Sequence, residues 1–274
     1  MSNAVMPEMA SPAGRRVEIG RAAGVLTLTL DRPDALNAID AEMLGDIERV
    51  LGLVEGDDQL VALVLRARGR VFSAGADLKA ARARANRGDG RTTEAFLARV
   101  TALLSRLEGL PVPTLAIVEG LAVAGGLELV LCCDLVIATE AASFGDAHAN
   151  FGLLPGGGGS VRLPRRIGAM RAKELMFTGR TISAALAADW GLVTTVVAAH
   201  ALEATIEDLL QTLRTKSPLG LRRMKRLVDD NLDLSRDEGL ANEQAVSRRH
   251  AGSYDRREGL QAFNEKRRPV FLGR

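Results

Sequence analysis

An α/β core followed by a layer of helices is the fold class this sequence predicts, and three observations predict it. Apolar runs of strand length alternate with amphipathic helix patterns through the first half. Two glycine-bearing turns, Ser73-Ala74-Gly75-Ala76-Asp77 and Ala124-Gly125-Gly126, each lead from such a run toward a helix. After Met170 the pattern becomes almost wholly helical. Strands separated by helices imply crossover connections, so the pairing is expected to be largely parallel.

The start of the chain is polar and contains proline, lacks the apolar centre of a signal peptide, and reads as a loose tail over 1–14. Val25 to Leu30, entered through Gly24, alternates as a strand does and stops at Asp31-Arg32-Pro33. Asp40 then caps a helix whose apolar stripe is Met43, Leu44, Ile47, Val50 and Leu51. Leu60 to Leu65 is a buried strand, and Thr93 to Leu107 a second amphipathic helix. Pro111 and Pro113 interrupt the chain before the strand Thr114 to Val118, which is followed by a helix bearing Glu128 and the strand Leu135 to Ala138. Arg171 to Phe177, Ala184 to Trp190, Ala201 to Lys216, Leu219 to Asp230 and Arg236 to Ala251 read as helices, with Leu192 to Val197 a short strand among them. The core is drawn over 15–198 and a helical region over 199–274. At 274 residues the chain is long enough for a sizeable core without disulfides or metal.

Composition removes several classes of function. Aromatic residues make up 3% of the chain, too few for a nucleic-acid binder that works by stacking. A net charge of +2 implies no phosphate-backbone partner, although Arg214 to Arg274 carries 15 basic against 9 acidic residues. No apolar stretch reaches the roughly 18 residues of a membrane span, so cytoplasmic residence is the expectation. The cysteines are the neighbours Cys132 and Cys133 in an apolar run, which suits buried free thiols in a reducing compartment. His200 and His250 lie in charged helical surroundings and read as surface residues; no pair of His or Cys has metal-ligand spacing.

The chemistry is expected at the two turns. A turn that opens a helix leaves N–H groups without intrahelical partners, and glycine removes the Cβ that would block approach to them. Two such turns facing each other would form a paired-donor oxyanion hole, and Glu128 places a carboxylate in the apolar helix behind the second. Gly156-Gly157-Gly158-Gly159-Ser160 looks like a phosphate loop, but no Lys follows the glycines. There is no Gly-x-Ser-x-Gly elbow, and Ser73 has no evident His partner, so a serine hydrolase triad is unsupported.

Taken in order, Asp31-Arg32-Pro33-Asp34-Ala35-Leu36-Asn37-Ala38, Phe72 to Lys79, Gly120 to Asp134 and Phe144 to Gly159 closely resemble the enoyl-CoA hydratase/isomerase (crotonase) family. Phe177-Thr178-Gly179-Arg180 and Asp255-Arg256-Arg257-Glu258-Gly259 extend the resemblance over about residues 17 to 270. It implies a crotonase-like spiral of ββα units, a C-terminal helical trimerisation region, assembly as a homotrimer or a hexamer built as a dimer of trimers, and acyl-CoA thioester substrates. By position, the oxyanion hole falls on the N–H groups of Ala76 and Gly125. The CoA wall falls on Asp34, Ala35, Leu36, Ala74, Gly75, Asp77, Leu78 and Lys79, with Phe263 and Lys266 where the family's C-terminal segment reaches a CoA. The acyl pocket is expected along Ala80 to Thr101, a stretch that also reads as mobile. No cofactor is implied beyond the CoA carried by the substrate.

In the hydratases of the family two glutamates hold one water between them. Glu128 matches the first, whereas His148 stands at the second, and this is the chain's main departure from the pattern. An imidazole near neutral pH could still act with Glu128, as the acid beside a carboxylate base. The implied reaction is a lyase's, addition of water to a 2-enoyl-CoA. Isomerisation, thioester or carbon–carbon hydrolysis using His148, and a non-catalytic acyl-CoA or partner-binding role remain as alternatives. RNA binding would want a dense basic stripe, and the chain offers only Arg222-Arg223-Met224-Lys225-Arg226.

Overall fold

The structure, a computed structural model, describes residues 16–86 and 90–274. The tail expected over 1–14 lies outside the described residues. In chain order the elements are β1 (Val17–Ala22), β2 (Val25–Leu30), α1 (Ala41–Glu55), β3 (Ala62–Ala67), β4 (Val71–Ser73), α2 (Leu78–Asn86), α3 (Gly90–Glu108), β5 (Thr114–Val118), β6 (Leu121–Val123), α4 (Gly125–Leu131), β7 (Leu135–Thr139) and β8 (Ser143–Gly145). Then come α5 (Gly159–Ile167), α6 (Ala169–Thr178), β9 (Ile182–Ser183), α7 (Ala184–Asp189), β10 (Thr195–Val197), α8 (Leu202–Arg214), α9 (Pro218–Asn231), α10 (Arg236–Ala251) and α11 (Tyr254–Asn264). The stretch expected to line an acyl pocket thus folds as α2 and most of α3, with 87–89 outside the described residues.

Among the described residues the strands form two sheets. The larger has the order β1-β2-β3-β5-β7-β10, parallel except for the β1/β2 hairpin, and the smaller has the order β4-β6-β8-β9. Each of three successive units gives its first strand to the large sheet and its short second strand to the small one: β3/β4, β5/β6 and β7/β8. The expected α/β core is therefore correct, but the glycine turns do not follow the long strands directly. They follow β4 and β6, three-residue strands too short to alternate visibly in sequence.

Alternation along the large sheet makes two cores. Val25, Ala62, Val64, Leu115, Ile117 and Ile137 pack with Leu202, Ile206 and Leu210 of α8. Leu26, Leu28, Leu63, Leu65, Ala116 and Val136 face the opposite way, into the main core with α1, α3 and α4. Asp40 caps α1 as expected, its carboxylate accepting from the Met43 N–H at 2.8 Å.

The basic cluster at 222–226 is spent on local pairs rather than left as a stripe. Arg222 reaches Asp58, Arg223 the His250 ring, Lys225 Asp134, and Arg226 Asp230. His250 is thus half-buried rather than a plain surface residue, while His200 is exposed. Both cysteines are buried free thiols, and burial pushes the Cys133 thiol up to about 12. No helix among the described residues is long and apolar enough to cross a membrane.

Candidate active site

The two glycine turns meet because β4 and β6 are parallel neighbours, pairing Val71 with Leu121 and Ser73 with Ala122. A Cβ on Gly75 would lie 2.7 Å from the Gly125 nitrogen, and one on Gly125 would lie 3.4 Å from the Ala76 nitrogen. The first contact admits only glycine at position 75, which also sits at φ +86, while a Cβ at 125 would fit only tightly.

Pairing geometry decides where the Ala76 N–H points. The Ile39 N–H donates to the Gly75 carbonyl at 2.8 Å, and the Asp77 N–H to the Ile39 carbonyl at 3.0 Å, which makes a parallel bridge between Ile39 and Ala76. The amide of Ala76 itself then faces away from Ile39. On the other turn, Gly125 is the first residue of α4, so its N–H has no intrahelical acceptor. Among the described residues neither N–H donates a hydrogen bond. Ala124, just before it, holds φ +50 and ψ −122, a strained conformation for a residue with a Cβ and one of the kind that gathers at functional sites.

The segment before α1 buttresses the first turn. Pro33–Ala35 forms a 3-10 turn, Leu36 and Asn37 take left-handed φ values of 53 and 51, and the Ala74 N–H donates to the Leu36 carbonyl at 3.0 Å. Asp34, Ala35 and Leu36 are thereby tied to Ala74–Asp77, and Leu36, Leu78 and Lys79 are exposed along the same edge. The Asp77 carboxylate is occupied: it caps α2 through the Lys79 and Ala80 N–H groups and pairs with Arg32 at 2.8 Å. The Ala80 N–H, ahead of Arg32, holds its carboxyl below the usual aspartate value. Ser73 is structural too; it donates to the Asn37 carbonyl and accepts from the Gly75 N–H.

Asn37, in the segment before α1, holds three backbone groups in place. Fully buried, it donates to the carbonyls of Arg68 and Val71 at 2.9 and 2.8 Å and accepts from the Arg32 N–H at 2.8 Å. Asn37→Ala would leave three backbone groups unpaired and is expected to destabilise the fold by about 3 kcal/mol, read as a lowered midpoint in urea at unchanged slope.

Glu128 is 3% exposed on α4. Its Oε1 accepts from the N–H groups of Gly157 and Gly159, each at 2.8 Å. The four-glycine turn is therefore a cradle for an anion, but the anion is the protein's own carboxylate rather than a phosphate. A Cβ on Gly157 would come within 2.6 Å of Oε2, which explains the glycine. Burial raises the Glu128 pKa above the usual carboxylate value; the Gly159 and Gly157 N–H groups and the His148 charge oppose this only in part.

His148 opens a 3-10 turn that runs to Phe151. Its Nδ1 lies 3.1 Å from the Asp146 carboxylate, within ion-pair distance though not aligned as a hydrogen bond. Burial works against the imidazolium, but Asp146 and then Glu128 outweigh it and hold the pKa above the ordinary histidine value. Asp146, 2% exposed, is a site residue that sequence reasoning missed; its place two residues before His148 was the available signal. The unpaired N–H groups, Glu128 and His148 together supply two donors for a developing oxyanion and an acid/base pair whose pKa values are both raised.

A family model described as enoyl-CoA hydratase/isomerase matches residues 20–274. The chain belongs to the enoyl-CoA hydratase/isomerase family. An enoyl-CoA isomerase/hydratase of Mycosarcoma maydis is 39% identical over 260 residues, which are 92% of this chain and 93% of the relative. The mitochondrial enoyl-CoA hydratase domain-containing protein 2 of Mus musculus is 37% identical over 256 residues, 92% of this chain and 85% of the relative. The crystal structure of enoyl-CoA hydratase from Bacillus anthracis superposes with a TM-score of 0.89 at 33% identity, covering 95% of this chain and all of that one. An enoyl-CoA hydratase structure from Mycobacterium smegmatis gives 0.89 at 35% identity, covering 93% and 98%. The fold is thus the crotonase fold with its C-terminal helices, as the resemblance implied.

Phe263 and Lys266 lie on the C-terminal segment. Phe263 is 82% exposed on α11, and Lys266 is exposed just beyond it. Their segment is anchored at Glu258, which pairs with Arg267 and accepts from the Val270 N–H, and at Asp255, which accepts from Ser217 and the Leu272 N–H.

Proposed function

We propose that this protein adds water to a 2-enoyl-CoA, with the thioester oxygen held by the Ala76 and Gly125 N–H groups. The observation that carries this reading is the placement of two unpaired N–H donors beside a buried Glu128 whose carboxylate is fixed by Gly157 and Gly159. Glu128 takes a proton from water as its oxygen bonds to Cβ, and the π electrons move through Cα to the thioester oxygen. The resulting enolate is stabilised by the two N–H groups. The carbonyl re-forms as His148 delivers its proton to Cα. Exchange of a proton between Glu128, solvent and His148 restores both groups.

The CoA chain runs along the wall of Asp34–Leu36 and Ala74–Lys79 in this reading. Phe263 and Lys266, exposed on one protomer, serve the CoA of a neighbour in a homotrimer or a hexamer. Such assembly is supported by α9, which buries no apolar residue within one chain and leaves Met224 and Val228 more than half exposed.

A panel of enoyl-CoA, dienoyl-CoA and 3-oxoacyl-CoA thioesters with products read by mass tests the function, because gain of water, an isomer shift and cleavage differ. Loss of turnover on crotonyl-CoA in both Glu128→Ala and His148→Ala is expected; full activity in His148→Ala would sink the assignment of the acid. A second reading, hydrolysis with His148 as the base, is favoured only by Asp146, and cleaved products would select it.

The pH profile of kcat/KM follows from the same pair. Activity should rise as Glu128 ionises, on a limb above the usual carboxylate value, and fall as the His148 imidazolium is lost, on a limb above the ordinary histidine value. Asp146→Asn should move the alkaline limb downward, since the main support of the imidazolium is gone. An alkaline limb unmoved by this substitution would rule out His148 as its source.

A further inference from the structure

The four-glycine turn that holds Glu128 is itself held. Arg162, on α5, donates from Nη1 to the Gly157 carbonyl at 2.8 Å, and from Nε and Nη2 to the Glu108 carboxylate at 3.0 and 2.7 Å. The Arg162 side chain is 13% exposed, the buried member of a pair whose Glu108 side opens to solvent. Gly158 makes room for it: the residue sits at φ +97, and a Cβ there would lie 2.2 Å from Arg162 Nη1. From α3, Thr101 donates to the Gly156 carbonyl at 2.9 Å, about two turns before Glu108 ends that helix.

Four glycines in a row have the most backbone freedom to lose and no side chains to fix their own shape. The constraint therefore has to come from outside the turn. We propose that Arg162, oriented by Glu108, is a positioning residue for the Glu128 carboxylate, fixing the Gly156–Gly159 turn so that the Gly157 and Gly159 N–H groups converge on Oε1. Arg162 acts through the turn and not on substrate. The inference rests on Glu128 being the base of the proposed hydration.

The charged and titratable groups coupled to Glu128 are Asp146 from the segment before the 3-10 turn and His148 at its start, Arg162 from α5 with Glu108 of α3 behind it, and Cys132 from α4's own C-cap. Arg162 is the member of this set that stays cationic at every working pH. Removing it takes away that charge and loosens two N–H donors. Both changes favour the protonated carboxyl, so Glu128 should keep its proton to higher pH.

The experiment uses Arg162→Met, Arg162→Lys, Gly158→Ala and Glu108→Gln in the full chain. The Glu128 carboxyl is titrated by infrared difference spectra against Glu128→Gln, alongside kcat and KM on crotonyl-CoA over pH. Arg162→Met is expected to raise the Glu128 midpoint and the acid limb by about one pH unit and to lower kcat about tenfold, with KM within about threefold. Gly158→Ala both displaces the guanidinium and strains the turn at φ +97, so it should be at least as damaging, whereas Arg162→Lys should retain part of the function. A folded Arg162→Met variant with the wild-type Glu128 midpoint, or with only KM changed, overturns the proposal. Should Arg162→Met fail to fold, Arg162→Lys and Glu108→Gln decide on the same readouts. If the unaltered protein adds water to no enoyl-CoA, the proposed function falls, while the carboxyl titration still tests Arg162.

Discussion

Gly75→Ala is expected to cost at least about a hundredfold in kcat, because it strikes both proposed oxyanion donors at once. The new Cβ would meet the Gly125 nitrogen at 2.7 Å and the Ala124 Cβ at 2.9 Å. One of these atoms is backbone and the other is fixed to it, so no side-chain rotation relieves the contact. The backbone must also keep φ +86, which an L-residue with a Cβ resists. The turns would have to separate, and the Gly125 N–H would be capped by a methyl group at the point where the thioester oxygen binds. Each lost donor is worth about 3 kcal/mol of transition-state stabilisation. Stopped-flow or steady-state hydration of crotonyl-CoA reads the loss, and circular dichroism checks that the variant is folded. A folded Gly75→Ala with normal kcat would mean that the two turns do not hold the reacting oxygen.

Glu128→Gln should be about as damaging to turnover and yet benign to the fold. The amide has the same shape, and its carbonyl oxygen can accept from Gly157 and Gly159, but it cannot take a proton from water. A loss of about 10²–10⁴ in kcat is expected from removal of the general base. Stability should move the other way. Burial raises the folded pKa of Glu128 above its unfolded value, so the protonated carboxyl is the form that the fold prefers. Its contribution is fully present below the unfolded pKa and is lost as pH rises through the folded one, so at neutral pH the ionised group weakens the fold. The neutral amide avoids that cost, and thermal unfolding at neutral pH should show a melting temperature equal to or above that of the unaltered protein. A marked fall in melting temperature would identify Glu128 as a structural anchor instead.

Much of this was legible in the sequence because local rules carried it. The alternation of Val25 to Leu30, the stripe on the Asp40-capped helix and the pattern of Arg236 to Ala251 each reflect one period repeated over enough residues to be seen. The structure places helices or strands at all three. The strands Val71–Ser73, Leu121–Val123 and Ser143–Gly145 were not legible. Three residues carry barely one alternation, and these strands exist because the small sheet pairs them, not because of their own propensity. The helix Tyr254–Asn264 was missed for a related reason: its anchors are Asp255 and Glu258, polar groups that bond the returning C-terminal segment rather than an apolar stripe.

By itself the sequence determined which residues could do chemistry. It marked the two glycine turns, the acid at Glu128 and the histidine at His148, because exposed N–H groups need glycine and proton transfer needs titratable side chains, and both are written in residue type. Only the tertiary structure decided what each of them faces. The parallel pairing of β4 with β6 puts the turns side by side, and the bridge to Ile39 turns the Ala76 N–H outward. The fold also brings Gly157 and Gly159 onto Glu128. Burial in that fold sets the upward direction of the Glu128 shift, and Asp146 with Glu128 sets that of His148 against burial. The contacts between the turns and onto Glu128 join segments about 30 residues or more apart, which no local pattern encodes.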